Sequence, residues 1–262
     1  MGTHALLSPS AAHRWMNCPP SACLEREFPS SSSEVAAEGT AAHALCEHKL
    51  RKLLKLRSKR PQSDFEDDEM DRCSDDYVLF VQERMREIPS PMVLVEQRLD
   101  LTRYVPEAFG TADCIIVGGD RLHIVDFKYG MGVLVEAEHN PQMMLYALGA
   151  LELLDGIYDI QKISVSIFQP RRENVCTWSL PKEELLRWAR DDLVEKACLA
   201  YAGEGEYCAG EWCTFCRASV RCRARAEEKL RLAKEEFKYP PLITDEEIED
   251  VLGEIPELIK WA

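Results

Sequence analysis

GTADCIIVGGDRLHIVDFK, Gly110–Lys128, is the stretch whose reading decides the fold. β-Branched and apolar residues fill both halves, and Gly118-Gly119-Asp120 between them is hairpin-type turn chemistry, so two antiparallel strands are predicted. Alternate side chains of a strand share a face. Asp126 and Lys128 therefore emerge together while Val125 and Phe127 point the other way, and pairing across the turn brings Asp113 near Asp126. Two carboxylates in a partly buried place repel each other unless a cation sits between them.

Mg²⁺ suits such a pair, because it is a hard ion that takes one or two carboxylates, keeps waters and leaves positions open for phosphate oxygens. A lysine beside it can orient a water or offset charge on phosphorus. The chemistry this implies is metal-dependent phosphodiester cleavage. On spacing alone, the simpler reading of Asp126 and Lys128 is a surface-facing pair on an ordinary strand.

Working outward, MVLVEQRLDL (92–101) alternates and makes the third strand of a meander. NPQMMLYALGALELL (140–154) returns to helix, QKISVSIFQP (161–170) is another strand, and PKEELLRWARDDLVEKACLAYAG (181–203) is a helix opened by proline and ended near glycine. Upstream, Ser8 and Pro9 open a short helix that stops at Pro19-Pro20, with Cys18 at the stop. Ser33 is the expected cap of a long helix through about Leu56 that carries Glu38, His43 and Glu47, and a second helix is expected from about Asp75 to Ile88. Antiparallel strands followed by a helical crossover predict an α/β architecture, a central mixed sheet flanked by helices. Beyond Lys238, a proline break, an Asp245 cap and two short helical patterns follow.

The chain has 262 residues, 46% of them hydrophobic, and a formal net charge of -14. That balance argues against a general nucleic-acid coat, since phosphate binding needs concentrated Lys and Arg. Locally the charge is segregated: Lys49, Arg51, Lys52, Lys55, Arg57, Lys59 and Arg60 precede Asp64, Glu66, Asp67, Asp68, Glu69 and Asp71. This reads as a solvated helix end followed by a flexible acidic loop. MGTHALLSPS lacks the basic and apolar regions of an export signal, Leu6 stands where a myristoylation signal wants Ser or Thr, and no apolar run approaches the roughly 18 residues of a membrane span. A cytoplasmic location without membrane contact is the expectation.

Eleven cysteines, an odd number without an export signal, favour metal ligation over a disulfide framework. Cys213, Cys216 and Cys222 have the spacing C-x2-C-x5-C, which supplies three thiolates and needs a fourth ligand. Cys208 would complete a local zinc knuckle, whereas Cys18 would tie the two ends of the chain together. The adjoining Arg217, Arg221, Arg223 and Arg225 read either as the flank of a DNA path or as an exposed helix face.

Taken together and in order, EGTAAHALCE, GTAD, DFK and QMMLY resemble the motifs of the RecB-like branch of the PD-(D/E)XK nuclease superfamily, over most of the chain. The resemblance implies a restriction-endonuclease-like core in which His43, Asp113, Asp126 and the Phe127 carbonyl hold Mg²⁺ or Mn²⁺. It makes Lys128 the residue that positions the attacking water, with Asp113 and Asp126 catalytic beside it, and Gln142 and Tyr146 contacts to DNA. Glu96 sits where relatives often carry a glutamate, and Glu38 is a further candidate. SPSAAHRWMNCPP resembles the N-terminal segment of iron-sulfur members, which favours Cys18 with Cys213, Cys216 and Cys222 around a four-iron four-sulfur cluster, zinc being the alternative.

The implied layout is an N-terminal segment (1–30), a nuclease core (31–204), a cysteine cluster with a basic helix (205–238) and a helical extension (239–262). The implied function is a DNA exonuclease or end-processing hydrolase of phage recombination or replication, phage- or prophage-encoded in a bacterial cytoplasm, with DNA and recombination or replication proteins as partners. The rivals are a non-catalytic DNA- or partner-binding module on the same fold and a zinc-stabilised structural protein.

Overall fold

The structure is a computed structural model that describes residues 5–29 and 34–235, with 249, 253, 256 and 259 singly. The caps expected at Ser33 and Asp245 lie outside the described residues. Two compact units form, one from Met1–His13 and Ser31–Cys198, the other from Arg14–Ser30 and Leu199–Ala262. Helices in chain order are α1 (Ala12–Asn17), α2 (Ser21–Leu24), α3 (Glu34–Leu53), α4 (Asp68–Arg86), α5 (Pro141–Leu153), α6 (Lys182–Trp188), α7 (Val194–Ala202) and α8 (Arg223–Glu235). Among the described residues no helix is long and apolar enough to cross a membrane.

The larger unit is built on a five-stranded mixed sheet in the order β1 (Met92–Asp100), β2 (Phe109–Gly118), β3 (Arg121–Phe127), β4 (Lys162–Gln169), β5 (Asn174–Pro181). The expected meander is present: β1 with β2, and β2 with β3, pair antiparallel, and Gly119 takes the left-handed conformation at the turn. β3 and β4 pair in parallel, and α5 is the crossover such a pair requires. β5 was not expected. It pairs antiparallel with β4 and alternates half-buried and exposed positions, as a strand at the sheet edge does.

Burial follows the sequence pattern strand by strand. Leu122 to Phe127 in central β3 are all buried, so both faces of the sheet are covered there. One face packs on α3 and α4, where Val125 and Phe127 join Leu45, Leu50, Tyr77 and Val81. The opposite face meets α5, whose residues Met143 to Leu151 are buried without a break, in keeping with an apolar sequence around the whole helix. Asn140 caps α5 by accepting from the N–H groups of Gln142 and Met143, and Pro141 takes the first turn.

Several boundaries differ from the sequence expectation. α3 stops at Leu53 rather than Leu56, and α4 begins seven residues before Asp75, at Asp68, because Asp67 is its cap, accepting from Met70 N at 2.7 Å. The single helix expected after Pro181 is interrupted by a π turn at Ala189–Leu193.

At Gly149 a methyl group would stand 2.9 Å from both Leu99 Cβ and Leu101 Cδ2, so α5 lies against the β1 end at glycine distance. Gly149→Ala gains about 1 kcal/mol of helix propensity and loses about 1–3 kcal/mol to overpacking. The expected outcome is a net loss near 1 kcal/mol, seen as a lower urea midpoint at unchanged slope.

Candidate metal centre

The hairpin register brings the site together. Cys114 pairs with Val125, which leaves Asp113 and Asp126 at the same level of neighbouring strands. Asp113 Oδ2 accepts the Phe127 N–H at 2.7 Å, while Oδ1 lies 3.3 Å from His43 Nδ1 on α3. The edge of the His43 ring meets the Phe127 ring at a centroid distance of 5.4 Å. Asp113 is thus fixed by its neighbouring strand on one oxygen and by a helix on the other.

Glu96 completes the group from β1. Val95 pairs with Cys114 and Gln97 with Ala112, so Glu96 stands opposite Asp113 at the one position where the ladder between those pairs is interrupted. Its φ is +50°, a left-handed conformation that costs a non-glycine residue of order 1 kcal/mol or more. One ligand atom each from His43, Glu96 and Asp113 lie within 4.8 Å of one another. The same three residues line a crevice with Glu47, Tyr77 and Phe127.

Asp126 belongs to a second, adjoining set. It is buried; its Oδ2 lies 2.8 Å from Lys128 Nζ, and its Oδ1 accepts from Gln142 Nε2 at 3.2 Å. Gln142 Oε1 accepts from Lys128 Nζ at 3.1 Å, and its amide also donates to the Tyr146 hydroxyl at 3.2 Å. Gln142 and Tyr146 are therefore joined to the Asp126–Lys128 pair, and Tyr146 is itself buried. Phe127 joins the group through its N–H, which donates to Asp113. Glu38 stands apart from these groups, 3.1 Å from Arg171, which also reaches Glu69.

The charges shape one another. Burial opposes the imidazolium of His43, but Asp113 overcomes it and lifts the pKa to about 9. Burial, then the Asp113 charge, pushes Glu96 up to about 7. Burial disfavours the charged form of Asp113 too, yet His43 and the Phe127 N–H hold its carboxyl below the usual range. Burial and Asp113 raise Asp126 against the pull of Lys128; Lys128, opposed by burial, is raised by Asp126.

The donors fit a divalent ion. One imidazole nitrogen and two carboxylates that line one crevice could hold such an ion. Glu47, one turn after His43 and on the same helical face, was not singled out as a site residue; its i, i+4 spacing was the available signal.

In the second unit Cys18 and Cys213 are buried, Cys216 and Cys222 half-buried, and Cys208 exposed. Burial raises the Cys18 thiol, the Cys208 and Ser21 N–H groups counter it, and the neighbouring Cys213 and Cys222 thiols raise it further. Cys216 in turn is raised by burial, with Glu25 and Cys213 also acting upward. The loop that carries these thiols is pinned by buried Glu25, which accepts from Arg217 N at 2.8 Å and from Arg14 Nη2 at 2.5 Å, while Arg14 Nη1 donates to the Phe215 carbonyl.

Because a metal must displace the protons on its ligands, Mn²⁺ binding should release about two protons near pH 6, from His43 and Glu96, and about one near pH 8. Affinity should rise with pH across that window. Calorimetric titration of Mn²⁺ in buffers of differing ionisation enthalpy reads both quantities.

A solved structure titled "Crystal structure of SSO0001" aligns over 79% of this chain and 95% of its own at 12% identity, with a TM-score of 0.30. A likeness that distant carries no weight here. A family model described as "Protein of unknown function (DUF2800)" matches residues 4–262, and the chain belongs to that family.

Proposed function

We propose that this protein is a metal-dependent DNA phosphodiesterase with a PD-(D/E)XK-type nuclease core, acting at DNA ends. The observation that carries the reading is the meeting of His43, Glu96 and Asp113 within 4.8 Å, beside a buried Asp126 paired to Lys128. A bound Mg²⁺ or Mn²⁺ would supply Lewis acidity to a phosphoryl oxygen and a water of lowered pKa.

The remaining work falls to the chain. His43, Glu96 and Asp113 hold the cation, and Asp126, at the same level on the next strand, adds negative charge that strengthens the grip. Lys128, kept protonated by Asp126, presents N–H donors at Nζ to the attacking water or to a phosphate oxygen that gains charge. Gln142 holds Asp126 and Lys128 in mutual register from the α5 side, which makes it a positioning residue. The fold supports this assignment: a mixed sheet with α3 on one face and α5 on the other delivers a ligand helix and a positioning helix to one strand end.

In the second unit the proposal is a four-iron four-sulfur cluster on Cys18, Cys213, Cys216 and Cys222, serving as a structural clamp. What supports it is the thiols' mutual influence: Cys213 and Cys222 both act upward on Cys18, and Cys213 acts upward on Cys216. A bacterial cytoplasm, phage or prophage origin and recombination or replication partners complete the proposal.

End-labelled single- and double-stranded DNA incubated with Mg²⁺ or Mn²⁺ should be shortened, and Lys128→Ala should slow cleavage by about 10³-fold. Equal rates for both proteins, or no divalent-dependent cleavage of either substrate, would refute the catalytic reading. Protein purified without oxygen should show broad absorption reaching into the visible blue, weakened by Cys216→Ser; a colourless preparation with stoichiometric zinc would refute the cluster.

A further inference from the structure

The basic run at the end of α3 is largely exposed, as a solvated helix end should be, but it is folded back rather than trailing. α3 ends in a paired hydrogen-bond stop: Leu56 N–H donates to the Arg51 carbonyl at 2.8 Å and Lys55 N–H to Lys52 at 3.0 Å, with Lys55 at φ +57°. These are the two bonds of a Schellman motif, with lysine where glycine is usual. The chain is turned back along its own helix, and the His48 ring Nδ1 meets Ser58 Oγ at 2.9 Å. The result is a pocket of 320 Å³ between Glu47, His48 and Arg51 on α3 and Arg57, Ser58 and Lys59 on the returning segment.

Two of its cations are uncommitted. Lys49 and Arg60, also from the basic run, are paired with Asp71, Asp75 and Glu66. Arg57 and Lys59 have no carboxylate partner among the described residues, and Arg51, which reaches Glu47 at 2.7 Å, neutralises the pocket's carboxylate. Burial and the surrounding cations depress the His48 pKa, which leaves its ring neutral among fixed positive charges. Arg51, Arg57 and Lys59 place cationic N–H donors around one concavity that Ser58 and His48, bonded to each other, also line, a combination suited to a phosphate.

The position of the pocket matters as much as its charge. Glu47 lines both this pocket and the metal-site crevice. His43 and Arg51 are two turns apart on α3, about 12 Å along the axis. We infer that Arg51, Arg57, Ser58 and Lys59 form a phosphate-binding subsite that holds a backbone or terminal phosphate of the DNA strand whose scissile phosphodiester lies at His43, Glu96 and Asp113. This rests on the nuclease reading for its occupant, while the pocket itself is tested by binding.

Fluorescence anisotropy of labelled oligonucleotides, with Ca²⁺ in place of Mg²⁺, compares the wild-type protein with two double variants. Arg57→Ala/Lys59→Ala should weaken DNA binding about tenfold or more and shrink the slope of log affinity against log salt by about one. Lys52→Ala/Lys55→Ala removes the same charge from the run outside the pocket and should have a clearly smaller effect. Unchanged affinity in the first variant, or equal losses in both, would overturn the subsite. Oligonucleotides with 5′-phosphate and 5′-hydroxyl ends separate the two sources: a preference for the phosphate that vanishes in the first variant assigns the terminal group, and equal losses for both ends assign an internal one. Because binding is read without turnover, a wild-type protein that cleaves nothing leaves this test intact. A protein that cleaves but whose first variant binds normally loses the subsite alone.

Discussion

Two carboxylates at one level of adjacent central strands set the terms for the larger unit. Asp113 and Asp126 cannot both be ionised in that interior without compensation. Each has recruited its own: Asp113 a helix imidazole and a backbone N–H, Asp126 a lysine just past the end of its own strand and a glutamine from α5. Both sides of the sheet are thereby tied to one strand end. The layered fold and the polar site are one arrangement, because α3 must lie where His43 reaches Asp113 and α5 where Gln142 reaches Asp126. Glu96, set opposite Asp113 and pushed toward neutrality, marks where the negative charge exceeds what the side chains balance.

Much of this was legible in the sequence because period-two patterning leaves little freedom. Once Val125 and Phe127 are inside, Asp126 and Lys128 share the other face, and the Gly118-Gly119 turn settles their register against Asp113. The resemblance named His43, Gln142 and Tyr146, and the structure gathers all three around the two aspartates. Gln142 bonds to Asp126 and Lys128, and Tyr146 to Gln142, an internal geometry that no spacing rule could distinguish from a surface one.

Two features escaped for the same reason, a backbone conformation without its usual residue. Lys55 takes the left-handed position that glycine normally announces, so the basic run gave no sign of turning back. Glu96 does the same inside a strand, which is why its place in the ligand group was the least readable part of the site. β5 escaped for a different reason. Asn174 to Leu180 is short, half-exposed and runs directly into a proline-led helix, so its alternation was masked by the stronger helical pattern that follows.

The partition into units has a consequence for synthesis. Arg14–Ser30 and Leu199–Ala262 build one unit from segments that flank most of the other. Cys18 leaves the ribosome about 195 residues ahead of Cys213, and at about 5–20 residues per second it waits roughly 10 to 40 s for its neighbouring thiols. During that interval the intervening sheet can form co-translationally from contiguous chain. For the proposed cluster the early thiol must stay reduced and unclaimed over that interval, which puts vectorial translation ahead of any thermodynamic preference in ordering its assembly.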